Sequence, residues 1–156
     1  MSDIAITRAG PADLDALAAL FDAYRQFYGQ TSDIARARQW LRERLRFGES
    51  VVLVAKRGGT TVGFAQLYPM FSSGRLAKTW ILNDLYVDAA ARRGGVARSL
   101  LDAAADFARK DGAAGISLET MADNEAARAT YRAAGWREDA TQWYSLAFEG
   151  TGESRH

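Results

Sequence analysis

Trp80 to Asp111 reads WILNDLYVDAAARRGGVARSLLDAAADFARKD, and its order decides the fold. Trp80 to Val87 is an apolar run of strand character, Asp88 to Gly95 is a short linker rich in arginine and glycine, and an amphipathic helix begins at Val96 and Ala97. A helix start exposes N–H groups that have no intrahelical partner, and the aligned peptide dipoles add partial positive charge there. Such a terminus holds a phosphate well. Gly94 and Gly95 lack a Cβ, so the chain between strand and helix can come close to an anion and take positive φ values that turn successive amides inward. Arg92, Arg93 and Arg98 place full charges around them. The expected ligand is a diphosphate.

Composition narrows what such a site can do. The chain has 156 residues, 48% of them hydrophobic, which suits one domain with a real core over 1–148. Glu149 to His156 has little to bury and is expected to fray. A net charge of +1 gives no field of one sign for nucleic acid or an anionic membrane, so neither is an expected partner. There is no cysteine, and the single histidine is the last residue, His156. Disulfides, thiolate nucleophiles, histidine triads and histidine metal sites all lack their groups, and no metal is expected. Met1 to Arg8 has no apolar block, and no run approaches the ~20 apolar residues of a membrane span. A soluble cytoplasmic protein is the default expectation.

Outward from the decisive stretch, Ile4 and Ile6 alternate in a first strand, and Leu14, Leu17, Phe21, Tyr24 and Tyr28 form the stripe of a helix from Ala12 to Tyr28. Ser32 or Asp33 caps a second helix carrying Ile34, Ala37, Leu41 and Leu45 on one face. Val51 to Ala55 and Thr60 to Tyr68 make a hairpin turning at Lys56 to Gly59, and Pro69 to Lys78 reads as a loop. Strands at Ile116 to Thr120 and Gln142 to Phe148, with a small helix capped by Asn124 between them, complete the order βααβββαβαβ. That is a mixed α+β or α/β domain around one central sheet, with a crossover through the glycine helix.

Strand, glycine linker, helix, second strand, and a helix bearing Asn124 and Tyr131 together resemble the GCN5-related N-acetyltransferases over nearly the whole chain. The most specific part is the signature Gln/Arg-x-x-Gly-x-Gly/Ala, matched by Arg92, Gly95 and Ala97; Ala89 stands where members commonly carry proline. The resemblance implies a mixed, mostly antiparallel twisted sheet flanked by helices, with acetyl-CoA in a cleft between the central strands. It implies that the amides of Arg93, Gly94, Gly95, Val96, Ala97 and Arg98 hold the CoA pyrophosphate, beside Arg92. Leu85, Tyr86 and Val87 would then lie along the pantetheine arm, and Asn124, Ala127 and Tyr131 would supply contacts to CoA from the later helix.

The implied chemistry is direct attack of a primary amine on the thioester. Tyr131, two helical turns beyond Asn124, is the candidate acid for the departing thiolate. An alkylammonium has a pKa of ~10.4, so a base or water must first remove a proton. Asp84 interrupts an apolar strand and is one candidate; Glu119 is a second, and the residues alone do not choose between them. Asn83 and Asp84 also fit a two-residue hairpin turn, but Trp80 to Leu82 and Leu85 to Val87 are each short for a strand, and one continuous strand buries more. Within the family, Leu67 to Ser73 together with Trp80 to Val87 resembles the branch acting on polyamines, diamines or basic protein tails, with a homodimer as the usual assembly. Tyr24, Tyr28 and Phe71 are candidates for the acceptor mouth, although aromatics at helical spacing more often build core. A non-catalytic acyl-CoA-binding module is the rival from another class.

Overall fold

Trp80 to Val87 is part of a longer strand than its apolar run suggests. In the computed structural model, which describes residues 3–149, β1 is Ile4–Arg8, α1 Leu14–Phe27, α2 Ile34–Arg46, β2 Val51–Arg57, β3 Thr60–Ser72, β4 Ala77–Val87, α3 Val96–Lys110, β5 Ile116–Ser117 and α4 Glu125–Ala133. The chain divides into two compact units, 1–119 and 120–156. The first holds the whole five-stranded sheet, in the order β1-β2-β3-β4-β5. The first four strands are antiparallel neighbours, and β5 joins β4 in parallel after the crossover through α3.

Successive strand residues face opposite sides of a sheet, and β3 shows what each side buries. Phe64 meets the cluster of Leu14, Leu17, Phe21 and Tyr24 of α1 with Ala37 and Leu41 of α2. Its neighbour Gly63 meets α3: a Cβ there would lie 3.2 Å from Val96 Cγ1, 3.3 Å from Leu100 Cδ1 and 3.0 Å from the Tyr86 carbonyl. The start of α3 therefore rests on the sheet through a missing side chain. Its other end is fastened by polar contacts, since Asp111 accepts from Trp80 Nε1 at 2.9 Å and pairs with Lys78 at 3.0 Å, while Phe107 packs edge-on against Trp80. The lysine and the indole hold the Asp111 carboxyl below the usual carboxylate range.

Several expectations change. Pro69 to Lys78 is no loop: β3 continues through Pro69, paired with Trp80, to Ser72. Proline is tolerated because β2 reaches only Leu67, which leaves that part of β3 paired on one flank. Asn83 and Asp84 do lie inside one continuous strand, as expected, and Asn83 is the extra residue of a bulge between the pairs Gln66↔Asp84 and Leu67↔Leu82. Asp33, not Ser32, caps α2 by accepting from the Arg36 N–H. Ser32 instead donates to Asp22, which also accepts from the Asp33 N–H and Gln26. Burial pushes the Asp22 carboxyl up, and these donors with Arg25 outweigh it, so it ends below the usual range.

β5 is two residues long, and Gln142 to Phe148 is not organised as a strand. Aromatic alternation supplies strand propensity, but a strand exists only where a ladder is engaged. Among the described residues no helix is long and apolar enough to cross a membrane.

Candidate active site

β4 delivers the chain to the site along an edge that opens. Its pairing with β5 involves only Trp80 and Ile81, so among the described residues Leu82 and Asp84 to Val87 are laddered on the β3 side alone. Leu85, Tyr86 and Val87 stand on that open edge. A short 3-10 turn, Ala89–Ala91, follows, and the chain then turns sharply into α3. Gly95 (φ 78°) and, unusually for a non-glycine, Arg93 (φ 69°) are left-handed. Such alternation curls consecutive N–H groups toward one side, a concavity suited to an anion.

Among the described residues those donors are not used. The first main-chain bond of α3 runs from the Ser99 N–H to the Gly95 carbonyl at 3.0 Å. Among the described residues no acceptor takes the N–H groups of Arg93, Gly94, Gly95, Val96, Ala97 or Arg98. Gly94 serves differently from Gly95. It does not take positive φ, and a Cβ there would come 2.9 Å from Arg57 Nη2, so its bareness makes room for a guanidinium from β2.

The three arginines divide. Arg92 donates from Nε to the Val87 carbonyl at 3.1 Å, and its guanidinium lies 5.5 Å from the Tyr86 ring centre and 5.6 Å from that of Phe27. It clasps the end of α1 to the end of β4. Arg98 pairs with Asp102 one helical turn on. Arg93 is exposed on the loop itself.

Asp84 lies on the same strand, three residues before Val87 and 6% exposed. Gln66 Nε2 donates to its Oδ2 at 2.9 Å, Asn83 Nδ2 to its Oδ1 at 3.2 Å, and Tyr24 hydrogen-bonds it from α1. Burial first, then the Asp84 charge, pushes the Tyr24 hydroxyl well above its ordinary value, so it remains a neutral donor. Tyr68 is pushed up for the same two reasons, with Trp40 and Arg44 opposing. Tyr24 is thus buried beside Asp84, in edge contact with Phe64 and Tyr86. Tyr28 packs edge-on against Tyr24, and Phe71 is exposed on the far part of β3. Gln66 and Ser50 were not singled out from the sequence; a glutamine amid apolar strand residues was the available signal for the first.

In the second unit, Asn124 caps α4 by accepting the Ala127 N–H at 3.2 Å. Ala127 and Tyr131 follow on that helix at one and two turns, both half-buried. Glu119 is the last residue of the first unit, two residues beyond β5.

The description of the acetyltransferase (GNAT) family matches residues 15–136. The chain belongs to the GNAT family. It is 44% identical over 134 residues to YhfO, an uncharacterised N-acetyltransferase of Bacillus subtilis, covering 86% of this chain and 90% of that one. It is also similar to the crystal structure of a probable acetyltransferase, with 42% identity, a TM-score of 0.89, and coverage of 93% and 98% of the two chains. A more distant likeness, 19% identical with a TM-score of 0.75 over 94% and 96% of the chains, is to an aminoglycoside N-acetyltransferase in complex with CoA and shows the shared GNAT fold. As a GNAT protein the chain is an acyl-CoA-dependent transferase, and the mixed sheet with flanking helices is the architecture of that family. The family's cofactor, acetyl-CoA, fits what is present: a concave row of unclaimed N–H donors beside an open strand edge suits a diphosphate joined to an extended amide arm.

Proposed function

We propose that this protein is a soluble, cytoplasmic N-acetyltransferase that moves the acetyl group of acetyl-CoA to a primary amine of a small molecule, either a polyamine, a diamine or an amino-acid-like compound, with its two units acting as one catalytic domain. The observation that carries the reading is the row of six N–H groups from Arg93 to Arg98 that no acceptor among the described residues uses, at the start of a helix that follows a half-unpaired strand. These amides hold the pyrophosphate, with Arg93 adding charge. The outer edge of Leu85 to Val87 receives the amide arm, and Asn124 and Ala127 contribute further contacts.

Acetyl-CoA, when bound, supplies the activated acetyl carbon. Asp84 takes a proton from the incoming ammonium, directly or through a water. With the thioester in place, the free amine would form its C–N bond as the C–S bond breaks; Tyr131 would give its hydroxyl proton to the departing sulfur and recover one, directly or through a water, from the nitrogen, which sheds its second proton in becoming the amide. No metal has a part in these steps. Asn83 sits at the bulge, where the polyamine-acetylating enzymes this chain resembles tend to carry an acidic residue; asparagine weakens attraction for a multiply charged amine and keeps a singly charged amine or amino-acid derivative among the acceptors. A homodimer is proposed through the exposed Trp143, Tyr144, Leu146 and Phe148.

A thiol-release screen over polyamines, amino acids, aminoglycosides and basic peptides tests the reading. Tyr131→Phe should leave CoA affinity intact and slow turnover about 10²-fold. Unchanged turnover would remove Tyr131 as the acid. CoA binding with no thiol release for any amine would favour the non-catalytic module, and release with peptides alone would move the acceptor to protein tails.

A further inference from the structure

We infer that Gln66, fixed in turn by Ser50, is the positioning residue that sets the direction of the Asp84 carboxylate. The inference rests on the reading of Asp84 as proton acceptor and adds the groups that make it serve. Ser50 Oγ donates to Gln66 Oε1 at 2.9 Å, and Gln66 Nε2 donates to Asp84 Oδ2 at 2.9 Å. All three side chains are buried, at 3%, 0% and 6% exposure. An ionised carboxylate only accepts, so it takes the NH₂ end of the amide; the carbonyl end is then left facing Ser50, whose hydroxyl must donate. Each link determines the orientation of the next.

Core packing alone does not account for this chain. Burying an amide costs about 1–3 kcal/mol unless it is hydrogen-bonded, and valine or leucine would fill the same strand position without that cost. Gln66 pairs directly with Asp84 across β3 and β4 and with Val52 on the other flank, so its amide is aimed at the one buried carboxylate within its reach on that ladder. Asn83, the other amide donor to Asp84, is exposed at the bulge and has no comparable support. The titratable groups that face Asp84 are Tyr24 from α1 and Tyr68 from β3, the latter influenced by Arg44 and Glu49. Both phenols are pushed above their ordinary values, so neither changes charge in the range where a carboxyl titrates.

The test follows the Asp84 carboxyl carbon by NMR in full-length protein labelled at aspartate, with assignment by loss of the signal in Asp84→Asn. No acceptor is needed. Gln66→Met removes a donor to the charged form and should raise the carboxyl midpoint by about one pH unit. Ser50→Ala should raise it about half as far, because the amide loses its anchor but keeps its bond. Val52→Ala, a loss of packing opposite Gln66, should leave it in place. In parallel, the acid limb of kcat/KM for putrescine should move with the midpoint.

If the midpoint moves and the limb does not, Gln66 still positions the carboxylate and the proton-accepting role of Asp84 falls. An unmoved midpoint in folded Gln66→Met overturns the inference. Should that variant not fold, Gln66→Glu keeps the shape and puts two carboxyls together; one must then titrate at least about one unit high. Two ordinary midpoints in Gln66→Glu would overturn the inference equally.

Discussion

Gly63→Ala puts one methyl group where β3, β4 and α3 meet. The added carbon would sit 3.0 Å from the Tyr86 carbonyl oxygen, 3.2 Å from Val96 Cγ1 and 3.3 Å from Leu100 Cδ1, against favourable separations of about 3.5–4.0 Å between carbons. The carbonyl cannot yield, because Tyr86 is laddered to Phe64 and the next pair is Gly63↔Val87. Relief must come from α3, whose first residue is Val96. Overpacking of this kind costs about 1–3 kcal/mol, and replacing a strand glycine returns about 0.5–1 kcal/mol through the unfolded chain. The net loss then lies between about 0 and 2.5 kcal/mol, with a mid-range value of about 1 kcal/mol. A start of α3 lifted off the sheet also misplaces the amides of Val96 and Ala97, so CoA affinity should fall about tenfold, equivalent to about 1.4 kcal/mol. Urea unfolding reads the first quantity and calorimetric titration with CoA the second. A variant as stable as wild type with unchanged CoA affinity would refute the claim that Gly63 seats the anion-binding helix.

Two further outcomes are expected. Asp22→Asn leaves Ser32, the Asp33 N–H and Gln26 without a charged acceptor and should cost about 2 kcal/mol at neutral pH. Because the folded carboxyl lies below its unfolded value, its stabilisation is present above about pH 4 and is lost as pH falls through the folded value, so wild-type and variant stabilities should converge in acid; parallel curves would contradict this. Arg92→Met removes the clasp between Phe27, Tyr86 and the Val87 carbonyl and should lower stability by about 1–2 kcal/mol in urea, whereas an unchanged midpoint would mean the stacking contributes nothing.

How much was legible follows from the range of each interaction. The stripes of α1, α2 and α3, the β2–β3 hairpin and the Asn124 cap are written in local periodicity and capping chemistry, and the structure has them within a few residues. Pro69 to Ser72 looks like loop by composition, and only the shortness of β2 explains why proline can stay in β3. Gly63 was invisible for the same reason, since its function is an approach by α3 from far along the chain. At the candidate site, the glycine linker could be located from sequence, but the unequal roles of Gly94 and Gly95 could not. Arg92 reads as a phosphate charge from the sequence, and its packing against Phe27 and Tyr86 is a further role that only the fold reveals. Asp84 could be singled out as an aspartate inside an apolar strand; the Gln66 and Ser50 behind it depend on strand register, which residue patterns do not fix across a bulge.

The central claim is that main-chain donors between Arg93 and Arg98 grip the pyrophosphate of the cofactor. It is tested most directly by amide proton–nitrogen NMR during titration with CoA and, separately, with pantetheine, which has the same arm and no pyrophosphate. The account predicts that the Gly94, Gly95, Val96 and Ala97 amide protons move to lower field with CoA and stay in place with pantetheine. Tight CoA binding that leaves those four signals unmoved would contradict it.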